Sequence, residues 1–546
     1  MFKNVRFGAR PPRFQAPRYP ITLNSSLQDS NYGFMCHQID TSTLKNPPGG
    51  RRPALLAPHE GAPDQSEDCL FLDIYVPAAA FDANGNPRVR LPVTVWFYGG
   101  AYAFGSKELS PDIPLYTGQS MLEASGYQHM FVAGNYRLGA FGWLAGSYME
   151  KVGQPNAGLY DQALLLDWVQ KYISQAAGDP TKLSAWGESA GGGSILHHLV
   201  REGGTVNPKF SSFLVESPAF EWSWDNRTGG TLDAVYRNFS HFAGCGPNFN
   251  FQCLTTLPEG DLANANQALF DSVKQTGMFP VGPSVDGRWI QTIPTISFAS
   301  GKYWKGGING AIISHVANET ASFTPPYVVD KATFTTFLHT FFPEPSLQPI
   351  RDSIAANYNC TSSPYNGDYH ACAADVIRDS SFTCNTRNLF DAFPSIAHMM
   401  LYGFPEYAYA YHAADLVPTF ANGALQAYDI LVYDNVTWEN ATAYAALLDA
   451  EILSWYQGYF SSFAVYGDPN TGRVSGSKVW PVATNGAQLS NVMEIAFENS
   501  TFSWFNLISD GMNQKSVCNY WLGLAAQIMR LSSPKKPHEY EGKEDL

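Results

Sequence analysis

GDPTKLSAWGESAGGGSILHHLV (residues 178–200) combines a strand-like run, a glycine-flanked serine and an apolar helix. Its centre is the G-x-S-x-G pentapeptide Gly187-Glu188-Ser189-Ala190-Gly191. A serine on a tight strand-to-helix turn needs glycines on both sides, because larger side chains would collide with the adjoining strand and helix. A chance G-x-S-x-G is the alternative in a glycine-rich chain, but the flanking strand and helix favour a nucleophile elbow at Ser189.

Strand-like and helix-like segments alternate along the rest of the chain. LPVTVWFY (91–98) and HMFVAGNYRL (129–138) predict strands. GLYDQALLLDWVQKYISQ (158–175) predicts a helix with apolar residues at positions 159, 163, 166, 169 and 173. This alternation is typical of an α/β fold, in which a large and mostly parallel sheet carries helices on both faces.

Composition excludes several classes of function. The 546 residues carry a formal charge of −14 and a pI of about 5.3, which argues against nucleic acid or an anionic membrane as a partner. No apolar run approaches the roughly 18 residues of a membrane span, so we expect no stable membrane insertion. HExxH, GxGxxG and P-loop motifs are absent from the sequence, and we expect neither a metal nor an organic cofactor.

A second glycine-rich turn follows the strand-like run VTVWF. Tyr98-Gly99-Gly100-Ala101-Tyr102 is small and flexible, so its backbone N–H groups could approach a carbonyl oxygen closely. We expect the N–H groups of Gly100 and Ala101, together with that of Ala190, to form an oxyanion hole. A plain β-turn is an equally good reading of this stretch taken by itself.

Several long motifs together resemble the type B carboxylesterase/lipase family, which also includes the cholinesterases and neuroligins. The resemblance extends from about residue 2 to 523 and implies an α/β-hydrolase fold and carboxylic-ester hydrolysis through an acyl-serine. The motifs are PPRFQAP (11–17), SEDCLFLDIYVP (66–77), WFYGGAYAFGS (96–106), NYRLGAFGWLAG (135–146), NAGLYDQALLLDWV (156–169), GDPTKLSAWGESAGG (178–192) and FSSFAVYGDPN (460–470).

The resemblance also implies the remaining catalytic residues. AIISHVANETASF (311–323) matches the family's acid segment, with Glu319 at the acid and with Asn and Thr in place of Asp and Gly beside it. His412 follows EYAYAY and precedes AADLVPTF, as the family's histidine does. His398 falls in a predicted helix, FPSIAHMML (393–401), and is interpreted as a core or surface residue. We therefore expect a Ser189–Glu319–His412 triad.

Other features follow from the same comparison. Glu188 and Ser217 are expected to support the triad from behind. Glu216-Ser217-Pro218 departs from the family's usual Gln-Ser-Gly and implies a reshaped acyl side. The resemblance also implies two ion pairs, Arg13 with Glu67 and Arg137 with Asp161. We therefore interpret these charged residues as structural and not catalytic.

Eight cysteines without any CxxC spacing favour disulfides over zinc. The resemblance pairs Cys36 with Cys69, Cys245 with Cys253 and Cys384 with Cys518, which leaves Cys360 and Cys372 for each other. Disulfides and eight N-x-S/T triplets suggest a secreted protein. Neither a signal peptide nor the family's N-terminal hairpin is visible, so we expect the natural start of the protein to lie upstream. Within the given sequence we expect a single domain at 1–530 and a polar tail at 531–546.

Substrate preference is predicted from the candidate lid, residues 37–68. This segment has no Phe, Trp or Tyr, which disfavours a choline-type cation–π site, and it has few large apolar residues to meet lipid. We expect short-chain or aryl soluble esters, with a lipase or sterol esterase acting on long-chain esters as the alternative. A neuroligin-like adhesion module is disfavoured because all three triad residues are present. The sequence leaves the oligomeric state open.

Overall fold

The computed structural model of the protein describes residues 1–20, 33–40, 65–108, 115–220, 225–272, 279–433, 438–497 and 504–532. Most of the candidate lid, at 41–64, and all but the first two residues of the predicted tail lie outside these ranges. The strands are β1 (Phe2–Arg6), β2 (Phe71–Tyr75), β3 (Leu91–Phe97), β4 (Met130–Gly134), β5 (Gly178–Glu188), β6 (Ser212–Glu216), β7 (Gly310–Val316), β8 (Ala397–Tyr402), β9 (Leu489–Ile495) and β10 (Phe505–Asp510).

All ten of these strands form one sheet in the order β1-β2-β4-β3-β5-β6-β7-β8-β9-β10. The pairs from β4 to β9 are parallel, whereas β1–β2, β2–β4 and β9–β10 are antiparallel. The predicted α/β class and largely parallel sheet are confirmed. The chain moves from β3 outward to β4 and then returns to the other side of β3 as β5. Such a reversal opens a crevice at the carboxyl ends of the strands.

Helices of between one and five turns connect these strands. Their bounds are α1 (Gln119–Ala124), α2 (Gly139–Trp143), α3 (Met149–Val152), α4 (Ala157–Tyr172), α5 (Ala190–Leu199), α6 (Thr231–Phe242), α7 (Phe251–Thr256), α8 (Glu259–Ser272), α9 (Pro294–Ala299), α10 (Lys331–Phe341), α11 (Gln348–Tyr358), α12 (Tyr369–Arg378), α13 (Cys384–Ala392), α14 (Leu416–Phe420), α15 (Gly423–Tyr433), α16 (Trp438–Leu447), α17 (Leu453–Tyr466) and α18 (Lys515–Ser532). Single π-helical turns at Asp379–Thr383 and Leu448–Ile452 adjoin α13 and α17.

The predicted strand at 129–138 ends earlier than its apolar run suggests. β4 stops at Gly134, and the chain then turns so that the Arg137 guanidinium meets the Asp161 carboxylate on α4 at 2.7 Å. Both side chains are buried, so the bidentate contact fixes the direction of the turn. The other expected pair, Arg13 with Glu67, is also present at 2.7 Å.

The prediction of a helix at 393–401 is wrong. Residues Ala397–Tyr402 form β8, which is hydrogen-bonded to β7 on one side and β9 on the other. A strand covered on both faces has a continuous apolar sequence, which periodicity cannot distinguish from a buried helix. His398 lies near the start of β8, where burial lowers its pKa, and it is a core residue.

Four disulfides link the described segments. They join Cys36 to Cys69, Cys245 to Cys253, Cys360 to Cys372 and Cys384 to Cys518. Three of these pairs are the ones that the resemblance implied, and Cys360–Cys372 is the pair that it left over. The last bond closes a separation of 134 residues and ties α18 to α13, so the C-terminal helix is held on the body of the protein.

Candidate active site

Ser189 occupies the turn between β5 and α5. Its backbone has φ 54° and ψ −121°, a strained conformation for a residue with a side chain. Three backbone hydrogen bonds hold it: its N–H donates to the Glu216 carbonyl at 2.9 Å, and its carbonyl accepts from the N–H groups of Gly193 at 2.8 Å and Ala219 at 2.9 Å. The turn thus has the nucleophile-elbow geometry that the sequence predicts.

The glycines around Ser189 are needed for close packing. A Cβ on Gly191 would lie 1.9 Å from the carbonyl oxygen of Phe97, at the end of β3. A Cβ on Gly187 would lie 2.6 Å from the backbone of Gly191. Both contacts involve backbone atoms, which cannot move aside as a flexible side chain can. The G-x-S-x-G pattern therefore reflects the contact of α5 with the sheet.

Three side chains from separate loops meet at this turn. The imidazole Nε2 of His412 lies 2.8 Å from the Ser189 hydroxyl oxygen, and its Nδ1 lies 2.6 Å from Oε2 of Glu319. Glu319 follows β7 and His412 follows β8, so all three residues lie beyond the carboxyl ends of parallel strands. Glu319 is 1% exposed and Ser189 is 7% exposed.

The structure also fixes the orientation of Glu319 and His412. The second carboxylate oxygen of Glu319, Oε1, accepts the Val316 N–H at 3.1 Å, which holds the carboxylate in place. The rings of Phe323 and Phe382 contact the His412 imidazole edge-on, at centroid distances of 5.1 and 4.8 Å. Phe382 belongs to a π-helical turn that carries no sequence signal, so the sequence does not predict this contact.

The glycine-rich turn after β3 faces the same site. Gly100 and Ala101 have positive φ values of 103° and 51°, and a Cβ on Gly100 would lie 2.2 Å from the Phe104 carbonyl oxygen. Within the described ranges, the N–H groups of these two residues donate no hydrogen bond. Ala190 is the first residue of α5, where N–H groups have no partner in the preceding turn. These three groups are free to bind a ligand oxygen.

Glu188 and Ser217 lie directly behind the serine. Glu188 Oε1 is 3.3 Å from His412 Nε2, and a Cβ on Gly99 would lie 2.6 Å from Glu188 Oε2. Ser217 is fully buried with φ 44°, and its N–H donates to the Ser314 carbonyl at 2.9 Å. Both residues thus support the loops that carry the site.

Two further carboxyl groups are buried beside the site. Glu216 ends β6, and Asp415 lies on the segment that begins with His412; both are fully buried. Burial, and then the neighbouring Asp415, raises the pKa of Glu216 well above its ordinary range. Burial, and then the Glu319 charge, raises the pKa of Asp415 to about 7, against an opposing effect of His412. The sequence predicted a departure at Glu216 but not this proximity.

Carboxylesterases and lipases are similar in sequence to this chain. The family model described as "Carboxylesterase family" matches residues 1–521. The chain belongs to the carboxylesterase family. This carboxylesterase is 33% identical to the "Secreted lipase" of Arthroderma benhamiae over 529 residues, which are 95% of this chain and 92% of that protein. It is also 33% identical to "Carboxylesterase patB" of Penicillium expansum, over 66% of this chain and 63% of that protein.

Solved structures agree on the fold of this carboxylesterase. The structure titled "Crystal Structure of Aspergillus niger EstA" matches with a TM-score of 0.76 at 23% identity, covering 97% of this chain and 95% of that chain. The family resemblance and the α/β-hydrolase fold inferred from the sequence are therefore confirmed. The protein is a carboxylic-ester hydrolase, and its substrates are small-molecule esters.

No helix within the described ranges is long and apolar enough to cross a lipid bilayer. The same part of the chain holds no group of three or more His, Cys, Asp or Glu side chains arranged to hold a metal ion.

Proposed function

We propose that this carboxylesterase cleaves esters by nucleophilic attack of Ser189, with His412 as general base and acid and Glu319 as the residue that orients His412. The observation that carries this proposal is the continuous chain of contacts Ser189 Oγ–His412 Nε2, 2.8 Å, and His412 Nδ1–Glu319 Oε2, 2.6 Å. Nucleophile, base and orienting acid within hydrogen-bond distance are the geometric signature of an activated serine.

Acylation begins when the Ser189 hydroxyl passes its proton to His412 Nε2 and its oxygen attacks the ester carbonyl. The N–H groups of Gly100, Ala101 and Ala190, on the two turns beside the nucleophile, donate to the oxyanion that forms. His412 then donates the proton to the departing alcohol, leaving an acyl group on Ser189.

Deacylation repeats these steps with water in place of serine. His412 takes a proton from the water as it attacks the acyl-serine, and the carboxylic acid leaves as Ser189 recovers its proton. Glu319, buried and held by the Val316 N–H, stabilises the imidazolium that forms twice in each cycle. The Glu188 carboxylate, 3.3 Å from His412 Nε2, adds to this stabilisation.

Short-chain or aryl soluble esters are the substrates that we propose. Aromatic rings crowd the site: Phe323 and Phe382 contact His412, and Phe104 packs on Phe279 with a centroid distance of 6.5 Å. Rings of this kind suit a compact acyl group or an aryl leaving group. Pro218, in place of a family glycine, lies beside α5, where a Cβ on Gly192 would be 3.1 Å from the Pro218 Cα.

A lipase that acts on long-chain esters is the second candidate. It is favoured by the relative named "Secreted lipase", which is similar over nearly its whole length, and by "Lipase 1" of Geotrichum candidum, 32% identical over 56% of this chain. The candidate lid at 37–68, on which the preference for soluble esters was based, lies largely outside the described residues.

Hydrolysis of p-nitrophenyl esters with acyl chains from acetate to palmitate distinguishes the two candidates. The soluble-ester proposal predicts that kcat/KM is highest for acetate to hexanoate and that emulsified triolein is hydrolysed slowly. A maximum at decanoate or beyond, with activation at the lipid interface, would establish the lipase instead. Ser189→Ala protein, measured with every substrate, supplies the background rate.

We also propose that the protein is secreted and folds as a single domain at 1–530. Four disulfides are unusual in a reducing compartment and common in secreted proteins, and the relative that matches over most of its length is named a secreted lipase. Detection of the protein in culture medium, with eight oxidised cysteines by mass spectrometry, tests this localisation. Finding the bulk of it inside cells with free thiols would contradict it.

A further inference from the structure

Glu216 and Asp415, the acid pair, are buried close together on one side of the sheet. Glu216 ends β6 and pairs in register with Ser314 of β7. The Ser314 hydroxyl lies 3.4 Å from Asp415 Oδ2, so Asp415 lies over the end of these two strands. Both carboxyl groups are fully buried, and neither forms an ion pair with a Lys, Arg or His among the described residues.

The hydrogen bonds of the acid pair leave two oxygens without partners. Oε1 of Glu216 accepts from the Thr419 hydroxyl at 2.8 Å and from the Tyr456 hydroxyl at 3.0 Å. Oε2 of Glu216 and Oδ1 of Asp415 are buried and meet no hydrogen-bond partner in the described part of the chain. A protonated carboxyl group needs only one of its oxygens to hold the proton, so either of these two partnerless oxygens can carry one.

Buried carboxyl groups without a cation favour the protonated form, and two of them together favour it further. Four titratable groups lie near the acid pair: Glu319 and His412 on loops, Tyr402 on β8 and Tyr456 on α17. Of these four, His412 alone can carry a positive charge. Burial raises the pKa of Glu216 well above its ordinary range and that of Asp415 to about 7, in keeping with this environment.

Glu216 joins the two halves of the site. Its backbone carbonyl accepts the N–H of Ser189 at 2.9 Å, and its side chain accepts from Thr419, on the segment that begins with His412. Thr419 is fixed again at its carbonyl oxygen, which accepts from the Ser120 hydroxyl at 3.1 Å. A shift of Glu216 would therefore move the serine turn and the histidine segment relative to each other.

We propose that Glu216 and Asp415 hold one proton between them at neutral pH, and that the protonated pair positions His412 against Ser189. This inference rests on the proposed triad. Loss of that proton places two negative charges beside Glu319, and their repulsion separates β6 from the segment 412–420. Glu216 is thus a positioning residue that touches neither substrate nor the reacting atoms. The family's usual Gln at this place has the same shape but cannot lose a proton.

The first test measures protonation through stability and does not depend on catalysis. A carboxyl whose pKa is raised by folding binds its proton more tightly in the folded state, so its contribution to stability is lost as pH rises from the unfolded pKa, about 4.3, to the folded one. Glu216→Gln removes this loss. The Tm of the Glu216→Gln protein should therefore rise relative to the wild-type Tm by an amount that grows as the pH is raised above about 5.

Matched variants make this measurement specific. Glu451→Gln alters an exposed glutamate, and its Tm offset from wild type should stay constant over the same pH range. Asp415→Asn tests the partner residue, and its offset should grow between about pH 5 and pH 7 and then level off. If the Tm difference from wild type stays constant with pH for both Glu216→Gln and Asp415→Asn, the proposal of a shared proton is wrong, whether or not the triad assignment is correct.

The second test measures positioning. Glu216→Leu removes the acceptor for Thr419 and should lower kcat for p-nitrophenyl butyrate about tenfold or more with little change in KM, because misplacement of a catalytic group affects the chemical step. Glu216→Gln should restore most of this kcat and keep it at alkaline pH, where wild-type kcat declines. Equal kcat in wild type, Glu216→Leu and Glu216→Gln at every pH would overturn the positioning role and leave the triad untouched.

Discussion

Nδ1 of His412 lies 2.6 Å from Oε2 of Glu319, and the other oxygen of that carboxylate accepts a backbone N–H from its own strand, β7. The backbone of β7 therefore fixes the orientation of the Glu319 carboxylate. That carboxylate in turn determines that Nδ1 of His412 carries the proton. Nε2 is left as the acceptor that faces the Ser189 hydroxyl.

Glu319→Gln keeps the size of the side chain but removes its charge. The amide favours the wrong histidine tautomer and cannot stabilise the imidazolium, so kcat should fall by about 10³–10⁴-fold. Steady-state hydrolysis of p-nitrophenyl acetate measures this, with circular dichroism to show that the fold is retained. A residual kcat above a tenth of wild type would show that Glu319 does not serve His412.

Gly191→Ala should disrupt the elbow. The added Cβ would lie 1.9 Å from the Phe97 carbonyl oxygen, so α5 must move away from β3, at a cost of about 1–3 kcal/mol in stability and with a large loss of activity. Gly260→Ala on α8 is the matched control, since its Cβ would meet nothing within 4 Å and alanine favours a helix. Thermal unfolding should show a lower Tm for the first variant and an unchanged or higher one for the second.

Asn318 should carry no glycan although Asn318-Glu319-Thr320 is a legal acceptor sequence. Its amide Nδ2 donates to the Ala408 carbonyl at 2.9 Å, and its backbone N–H donates to the Ala410 carbonyl at 3.0 Å, immediately beside the buried Glu319. Intact-glycopeptide mass spectrometry of protein from a glycosylating host tests this. Asn238, exposed on α6, is the positive control, and sugar on Asn318 would show the prediction to be wrong.

Local sequence is sufficient to predict a structural feature wherever a close contact requires a particular residue type. Gly187 and Gly191 predicted the elbow because no side chain fits there, and the strand β3 was recognisable from its apolar run with defined ends. Glu319 and His412 required the family resemblance. Neither an isolated glutamate nor one histidine among twelve has a local pattern that distinguishes it from a structural residue.

Features that depend on distant packing were not predictable. β8 was mistaken for a helix because both of its faces are covered, which removes the alternation that identifies a strand. The acid pair was missed because Glu216 and Asp415 come together only when β6 and the histidine segment meet. Phe382, which contacts the His412 ring, lies on a helix whose single π turn has no sequence signature.

Labelling with a fluorophosphonate identifies the nucleophile, because the reagent bonds only to a serine that is activated by its neighbours. We expect one phosphonyl group per molecule, located on Ser189 by peptide mass spectrometry, with ester hydrolysis lost in proportion to labelling. We also expect that Ser189→Ala protein takes up no label and hydrolyses p-nitrophenyl acetate at the background rate. Wild-type turnover by Ser189→Ala protein, or a stoichiometric label on another residue, would contradict the assignment of Ser189 as the nucleophile.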